Sequence, residues 1–330
     1  MRTWTTQSLL AFSSAYWEVC ALHAAVAADV FTALADGPLN DAELAAKAGL
    51  SPRGAKGLAA AACALGFATR RDGRTALTDF AAQHLVRGRE GYLGDIVLHH
   101  HHLMDGWAQL DTAAKEGRRV RAKNEDSPET LAAFLRGMAN MASSRALEVA
   151  EQLDLSGRAR LMDLGGGPGS YAAAFCERNP QLSAVIFDRP TTEPFAMETV
   201  RARHLEGRIT FAAGDILTSP LPQGFDAVWI SHVLHGSSPE ECALMCRKAR
   251  AALNPGGLVC VQEFFLDDSM DGPLFPALFN LNMLQASDGG QSYTWAEVEA
   301  MLRAAGCADI RRIPGDPAFG TGIVCGTAAD

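Results

Sequence analysis

LMDLGGGPGS, residues 161–170, joins an apolar run to a turn built on glycine. Asp163 stands near the end of the run, and Gly165, Gly167 and Gly169 space the turn. Glycine lets a backbone bend tightly and approach a ligand where a side chain would collide. The chain around this stretch alternates short apolar runs with amphipathic ones: ARLMDLG, LSAVIFD, RITFAAGD, FDAVWIS and GLVCVQE. Strands alternating with helices predict a parallel sheet covered on both faces, with ligands at the carboxyl ends of the strands. Two last runs, ADIRRIP and GTGIVCGT, have no helix between them and predict an antiparallel pair that closes the sheet.

Rival nucleotide loops fit this turn poorly. A dinucleotide fingerprint wants a third glycine or alanine where Ser170 stands, and a P-loop wants Gly-Lys-Ser/Thr, which is absent. Asp188 ends the second run, 25 positions after Asp163, where a carboxylate accepts from both hydroxyls of a ribose. Asp215 follows the third run, placed to accept from an adenine amino group. One such acid is as easily a surface group or a helix cap; three at successive strand ends point to a nucleoside.

The chain has 330 residues, so two domains are expected, 1–153 and 154–330. Hydrophobic residues make up 48% and charged residues 20%, ordinary for a globular protein. A formal charge of −9 without a Lys/Arg cluster argues against nucleic acid and anionic membrane. Eight scattered cysteines with no Cys-x-x-Cys pair read as reduced thiols. The N-terminal stretch, interrupted by Gln7, Glu18 and His23, reads as an amphipathic helix rather than a signal, no apolar run looks long enough to span a bilayer, and a cytoplasmic location follows.

In the first third, Asn40 or Asp41 can cap one helix, Gly49 can end it, and Ser51-Pro52 can open the next. Asp72-Gly73 between short extended runs signals a hairpin, and Thr78-Asp79 starts another helix. Helices followed by a hairpin make a winged-helix pattern. Its second helix offers only Arg53 and Lys56 as bases, so a packing or dimerisation module is the better reading than a DNA reader.

In this order, LMDLGGGPGS, FDRP, GDIL, SHVLH, NPGGLVCVQE and FNLNMLQASDGGQSYTWAEVEAMLRAAG resemble the class I S-adenosylmethionine-dependent O-methyltransferases of plant phenylpropanoid and bacterial natural-product type. The resemblance covers nearly the whole chain. It implies an α/β fold: a Rossmann-like seven-stranded catalytic domain preceded by a mostly helical winged-helix dimerisation domain. It also implies S-adenosylmethionine as cofactor, a small aromatic or polycyclic acceptor and a homodimer that binds neither nucleic acid nor membrane. The cofactor set it implies is Asp163, Gly165, Gly167, Asp188, Asp215, Ile216 and Ser231.

By the same resemblance, His235 is the general base that takes a proton from the acceptor hydroxyl, and Glu263, 28 positions on, orients it. An imidazole, ordinarily titrating near 6.5, is mostly neutral at cellular pH and suits the task. His232, three residues earlier, reads as a strand-end histidine that packs or caps the turn. The plant pattern has Asp-Trp after the base and a second acid beside it; here Gly236 and Ser237 follow, and Ser292 stands at the acid's position. A more acidic hydroxyl that needs less help, or chemistry other than phenol methylation, would account for the loss.

VLHHHHLMDGW, residues 97–107, holds four histidines, and His101 with Asp105 has helical ligand spacing, but the ligand set is incomplete and no metal is expected. By the resemblance this segment lines the acceptor pocket, with His101, His102 and Trp107 facing it. Phe134, Met138, Met141, Phe279 and Met283 read either as that pocket or as plain core. The expected activity is O-methyl transfer. Hydroxylation or cyclisation on the same fold, or a ligand-sensing winged-helix regulator, are the alternatives.

Overall fold

A computed structural model of the chain describes residues 3–120 and 127–329, except for the side chains of Ser143 and Ser144. It separates into two compact units, Met1–Met104 with Asp126–Asn140, and Asp105–Glu125 with Met141–Asp330. The boundary expected at 153 falls at the end of a long helix whose second half groups with the sheet unit.

The first unit opens with α1 (Thr6–Ser13) and α2 (Tyr16–Ala27), followed by the short α3 (Val30–Ala33). Thr6–Ala27 is apolar and long enough to span a bilayer by length and composition, which corrects the expectation that no run is. The chain bends at Ser14, so the stretch forms two helices rather than one rod. No residue of α1 is buried, and Leu10 and Trp17 are each 65% exposed.

Next come α4 (Asp41–Ala48), α5 (Pro52–Ala64), the hairpin β1 (Ala68–Arg71) and β2 (Arg74–Leu77), and α6 (Asp79–His84). Local chemistry explains the boundaries. The Asn40 side chain accepts from Ala42 and Glu43 N–H groups while Glu43 reaches back to the Asn40 N–H, a capping box. Ser51 and Thr78 cap the next two α-helices, each cap contributing about 0.5–2 kcal/mol. Asp72 and Gly73 take φ values of 48° and 73°, the left-handed pair that a two-residue hairpin turn requires. Val30, Phe31, Leu44, Ala55, Ala59 and Ala62 form the centre of this unit's core. Then α7 (Gly94–Trp107), α8 (Leu110–Glu116) and α9 (Pro128–Gln152) lead into the sheet.

Among the described residues the second unit holds a seven-stranded sheet: β3 (Arg160–Leu164), β4 (Ser183–Asp188), β5 (Ile209–Ala213), β6 (Phe225–Ser231), β7 (Leu253–Phe264), β8 (Cys307–Pro314) and β9 (Thr321–Ala328). Their order is β5-β4-β3-β6-β7-β9-β8. The first five are parallel, and β9 runs antiparallel to both β7 and β8, the expected closing pair. Between the strands lie α10 (Ser170–Arg178), α11 (Glu193–Ala202), α12 (Pro239–Ala251), α13 (Leu274–Ala286) and α14 (Trp295–Ala304).

Side chains alternate between the two faces of the sheet. Leu161, Ile186, Ala227 and Trp229 serve one core, and Met162, Phe187, Val228 and Ile230 the other. Trp229 is fully buried, its ring centroid 5.1 Å from that of Phe175 and 5.3 Å from that of Tyr171. Truncating such a side chain costs about 3–5 kcal/mol. The strand order reverses at β3, with β4 on one side and β6 on the other, which opens a crevice beyond their carboxyl ends.

Candidate active site

That crevice begins at the glycine turn. Gly165 takes φ 75°, and a Cβ there would stand 2.6 Å from Val233 Cγ2 and 3.2 Å from Ile216 Cδ1. Any other residue there would be strained and would push Val233 aside. The Gly167 N–H donates to Asp188 Oδ2 at 2.8 Å, tying the turn to the end of β4. Asp163 lies directly beneath Gly166 and is 1% exposed; Oδ2 accepts from the Ala172 N–H at 3.2 Å and Oδ1 has no partner. Burial, against the help of the Ala172 N–H and with the added charge of Asp188, pushes its carboxyl up to about 7.

A buried, unpaired carboxylate oxygen under a turn open to close approach fits a polar, positively charged nucleoside such as S-adenosylmethionine. Asp188 stands half-buried beside it. Two residues of the expected cofactor set also bond within the protein. Asp215 is exposed, and its Oδ1 accepts from the N–H groups of Leu217 and Thr218, capping its own turn, which holds its carboxyl below the usual range. Ser231 donates to Gln262 Oε1 at 2.8 Å across the β6–β7 pair. Val233 was not foreseen; a valine just past a strand carries no signal, and only the turn's packing reveals it.

Past the end of β6 the chain forms a short 3-10 turn, Leu234–Gly236, and then α12, capped by Ser238 with Glu241 reaching back. His235 sits in that turn. Its Nδ1 lies 2.8 Å from Glu263 Oε2, and its backbone N–H donates to Oε1 at 3.3 Å. Parallel register makes the meeting possible: Ser231 at the end of β6 pairs with Gln262, so the turn past β6 comes beside Glu263, the next residue of β7. Nδ1 is thereby the donor, and Nε2 keeps the free lone pair.

Glu263 is 1% exposed. Burial alone would raise its carboxyl, but the imidazoles of His235 and His232 outweigh burial and hold it well below the usual carboxylate range. His232 Nδ1 is 3.6 Å from Oε2, beyond hydrogen-bond reach, so its contribution is electrostatic. Donor atoms of His232, His235 and Glu263 lie within 4.8 Å of one another, the spacing of a metal triad. The 2.8 Å contact has the length of a charge-assisted hydrogen bond.

Phe279 from α13 meets the His235 ring edge-on at 4.8 Å, and Phe264 lies behind both. Met283 is buried one turn further along α13. Trp107 donates to Asn282 Oδ1 at 3.0 Å, on the same helix. Met141 is 39% exposed. Ser292 is buried, with Oγ donating to the Pro276 carbonyl at 2.9 Å. His101, His102, Phe134 and Met138 belong to the first unit. There the His101 ring packs against buried His23 at 5.6 Å, His102 Nδ1 is buried without a hydrogen-bond partner, and Phe134 meets His99 at 5.3 Å.

The sequence model described as the O-methyltransferase domain matches residues 101–308. The 3-hydroxy-5-methyl-1-naphthoate 3-O-methyltransferase of Streptomyces sahachiroi is 33% identical over 95% of this chain and 92% of its own length. The tetracenomycin polyketide synthesis 8-O-methyl transferase TcmO of Streptomyces glaucescens is 34% identical over 92% and 91%. Among solved structures, PigF with SAH superposes with a TM-score of 0.89 at 25% identity, over 98% of this chain and 100% of that one. These likenesses support methyl transfer and lend nothing to hydroxylation, cyclisation or a regulator. By family match and by identity across nearly its whole length, the chain belongs to the O-methyltransferase family and is an S-adenosylmethionine-dependent O-methyltransferase.

Proposed function

We propose that this chain methylates a hydroxyl group on a polycyclic aromatic metabolite, with His235 as general base and Glu263 as its orienting partner. The observation that carries the reading is the 2.8 Å contact of His235 Nδ1 with Glu263 Oε2 beside the aromatic wall of Phe279 and Phe264. Glu263 fixes the imidazole with Nε2 outward, and Nε2 takes the hydroxyl proton. Glu263 also stabilises the imidazolium that results. Bound S-adenosylmethionine supplies an electrophilic methyl group. Gly165, Gly167, Asp163 and Asp188 hold it, while Asp215, Ile216 and Ser231 remain proposed contacts.

The aromatic acceptor is favoured by Phe279 beside the base and by the naphthoate and tetracenomycin acceptors in the names of the relatives. Trp107, Met141, Phe279 and Met283 are proposed acceptor contacts. The exposed apolar face of α1 and α2 supports a homodimer, because a patch of this kind needs covering. The acidic charge and the eight free thiols support a cytoplasmic enzyme that binds neither nucleic acid nor membrane.

Incubation with methyl-labelled S-adenosylmethionine and a panel of hydroxylated naphthoates and tetracyclic phenols tests this. Label is expected on a phenolic oxygen of at least one of them. Label on nitrogen or carbon only, across matched amine and C-nucleophile acceptors, overturns the reading.

A further inference from the structure

We infer that His232 is a positioning residue of the transfer step: it shares the Glu263 carboxylate with His235 and keeps that carboxylate from locking a proton onto the base. This rests on His235 being the base. The His232 N–H completes the ladder with the Gln262 carbonyl at 2.9 Å, and the backbone then turns to φ 55°. Residues in this left-handed region cost about 1–3 kcal/mol and persist where the surroundings demand them. Here the turn lays the ring over Phe264, centroids 4.3 Å apart, and brings Nδ1 to 3.6 Å from Glu263 Oε2. That nitrogen is buried and has no hydrogen-bond partner. The same Oε2 holds His235 Nδ1 at 2.8 Å.

A buried carboxylate beside an imidazole favours the protonated ring, and a ring already protonated cannot take the acceptor's proton. A second imidazole on the same oxygen opposes this. With its proton on Nδ1 the neutral ring turns an N–H dipole on the carboxylate and weakens its pull, and as a cation it also repels a proton on His235, so in these two states it acts in one direction.

Among the described residues, the titratable groups around His235 include Glu240 and Glu241 at the start of α12 and Asp288 in the loop that packs on the His235 carbonyl. Glu263 comes from β7, His232 from the end of β6, Cys242 from α12 with Sγ 3.2 Å from the Leu234 carbonyl, and Tyr293 donates to the Ser237 carbonyl at 2.6 Å. α13 sets the Phe279 ring against it and carries no titratable residue. Burial pushes Cys242 up to about 12, and burial with the Cys242 neighbour pushes Tyr293 up as well, so neither ionises near neutrality.

The experiment measures kcat/KM for the full-length protein with S-adenosylmethionine and an accepted phenol, from about pH 5 to about pH 9. His232→Ala and His232→Gly remove the ring, the latter without left-handed strain; His232→Asn tolerates the backbone and returns a polar N–H donor that does not titrate. In the two removal variants the acid limb is expected to move up by about one pH unit, about a tenfold loss on the acid side. The alkaline plateau should stay within about twofold and calorimetric affinity for S-adenosylmethionine should not change. His232→Asn should return the limb most of the way to the parental position.

A limb in either folded removal variant that superimposes on the parent's overturns the inference. So does an equal loss at every pH, which marks a structural role. Failure of the base assignment reads differently: His235→Ala would then keep the parental rate.

Discussion

Two regions of this protein concentrate imidazoles. Past β6, His232 and His235 flank one carboxylate, with contacts of 3.6 and 2.8 Å to Glu263 Oε2. On α7, His99, His101 and His102 crowd one helix with His23 opposite, and the Nδ1 atoms of His23, His99 and His102 are buried without hydrogen-bond partners. Histidine density is higher on α7, yet the chemistry is proposed for the pair with an acid. A carboxylate fixes the tautomer, aims the free nitrogen and stabilises charge; imidazoles among imidazoles only depress one another. Burial first, and neighbouring histidines second, lower His23 and His99 each to about 4.

The comparison breaks most sharply at His235. His235→Ala is expected to lose about 10² to 10⁴ in turnover, as removal of a positioned base does, while calorimetric affinity for S-adenosylmethionine holds. Parental turnover across neutral pH would leave positioning alone to explain catalysis.

Glu263→Gln keeps the shape but not the charge. A loss smaller than that of His235→Ala is expected in kcat, because the amide can orient the ring in either tautomer and cannot stabilise its cation. A kcat equal to the parent's would reduce the pair to packing.

Asp188→Ala separates cofactor binding from base chemistry. Its Oδ2 holds the Gly167 N–H, so its loss both loosens the turn and removes the proposed ribose acceptor. Affinity for S-adenosylmethionine should fall by roughly 1–3 kcal/mol. Unchanged calorimetric binding would move the ribose site elsewhere.

The smallest effect is expected on α7. His99→Leu should leave kcat within about twofold and act on stability instead. Buried neutral histidines bind protons in the unfolded chain before the folded one, so the stability they protect is complete above about 6.5 and drains as pH falls towards about 4. Melting temperatures measured across that window should decline less in His99→Leu than in the parent. Parallel declines would assign the acid sensitivity to other groups.

Much of this arrangement was legible in the chain. Apolar runs, caps at Asn40, Ser51 and Thr78, the Asp72-Gly73 turn and the glycines after Leu164 act through nearest neighbours, and a neighbour-by-neighbour reading finds them. Asp163 under the turn and Asp188 beside it belong to the same local grammar. Asp215, a proposed cofactor contact, also caps its own turn through its bonds to Leu217 and Thr218, which a carboxylate after a strand can do.

Convergence across distance is another matter. His235 and Glu263 meet because β6 and β7 pair in parallel with Ser231 opposite Gln262, a register that depends on the packing of both faces. Val233 over Gly165, the inward Ser292 and the left-handed turn that swings His232 to the shared carboxylate follow from that packing as well. A side chain's direction past the end of a strand is decided by what fills the space around it, and that space exists only once the sheet has closed.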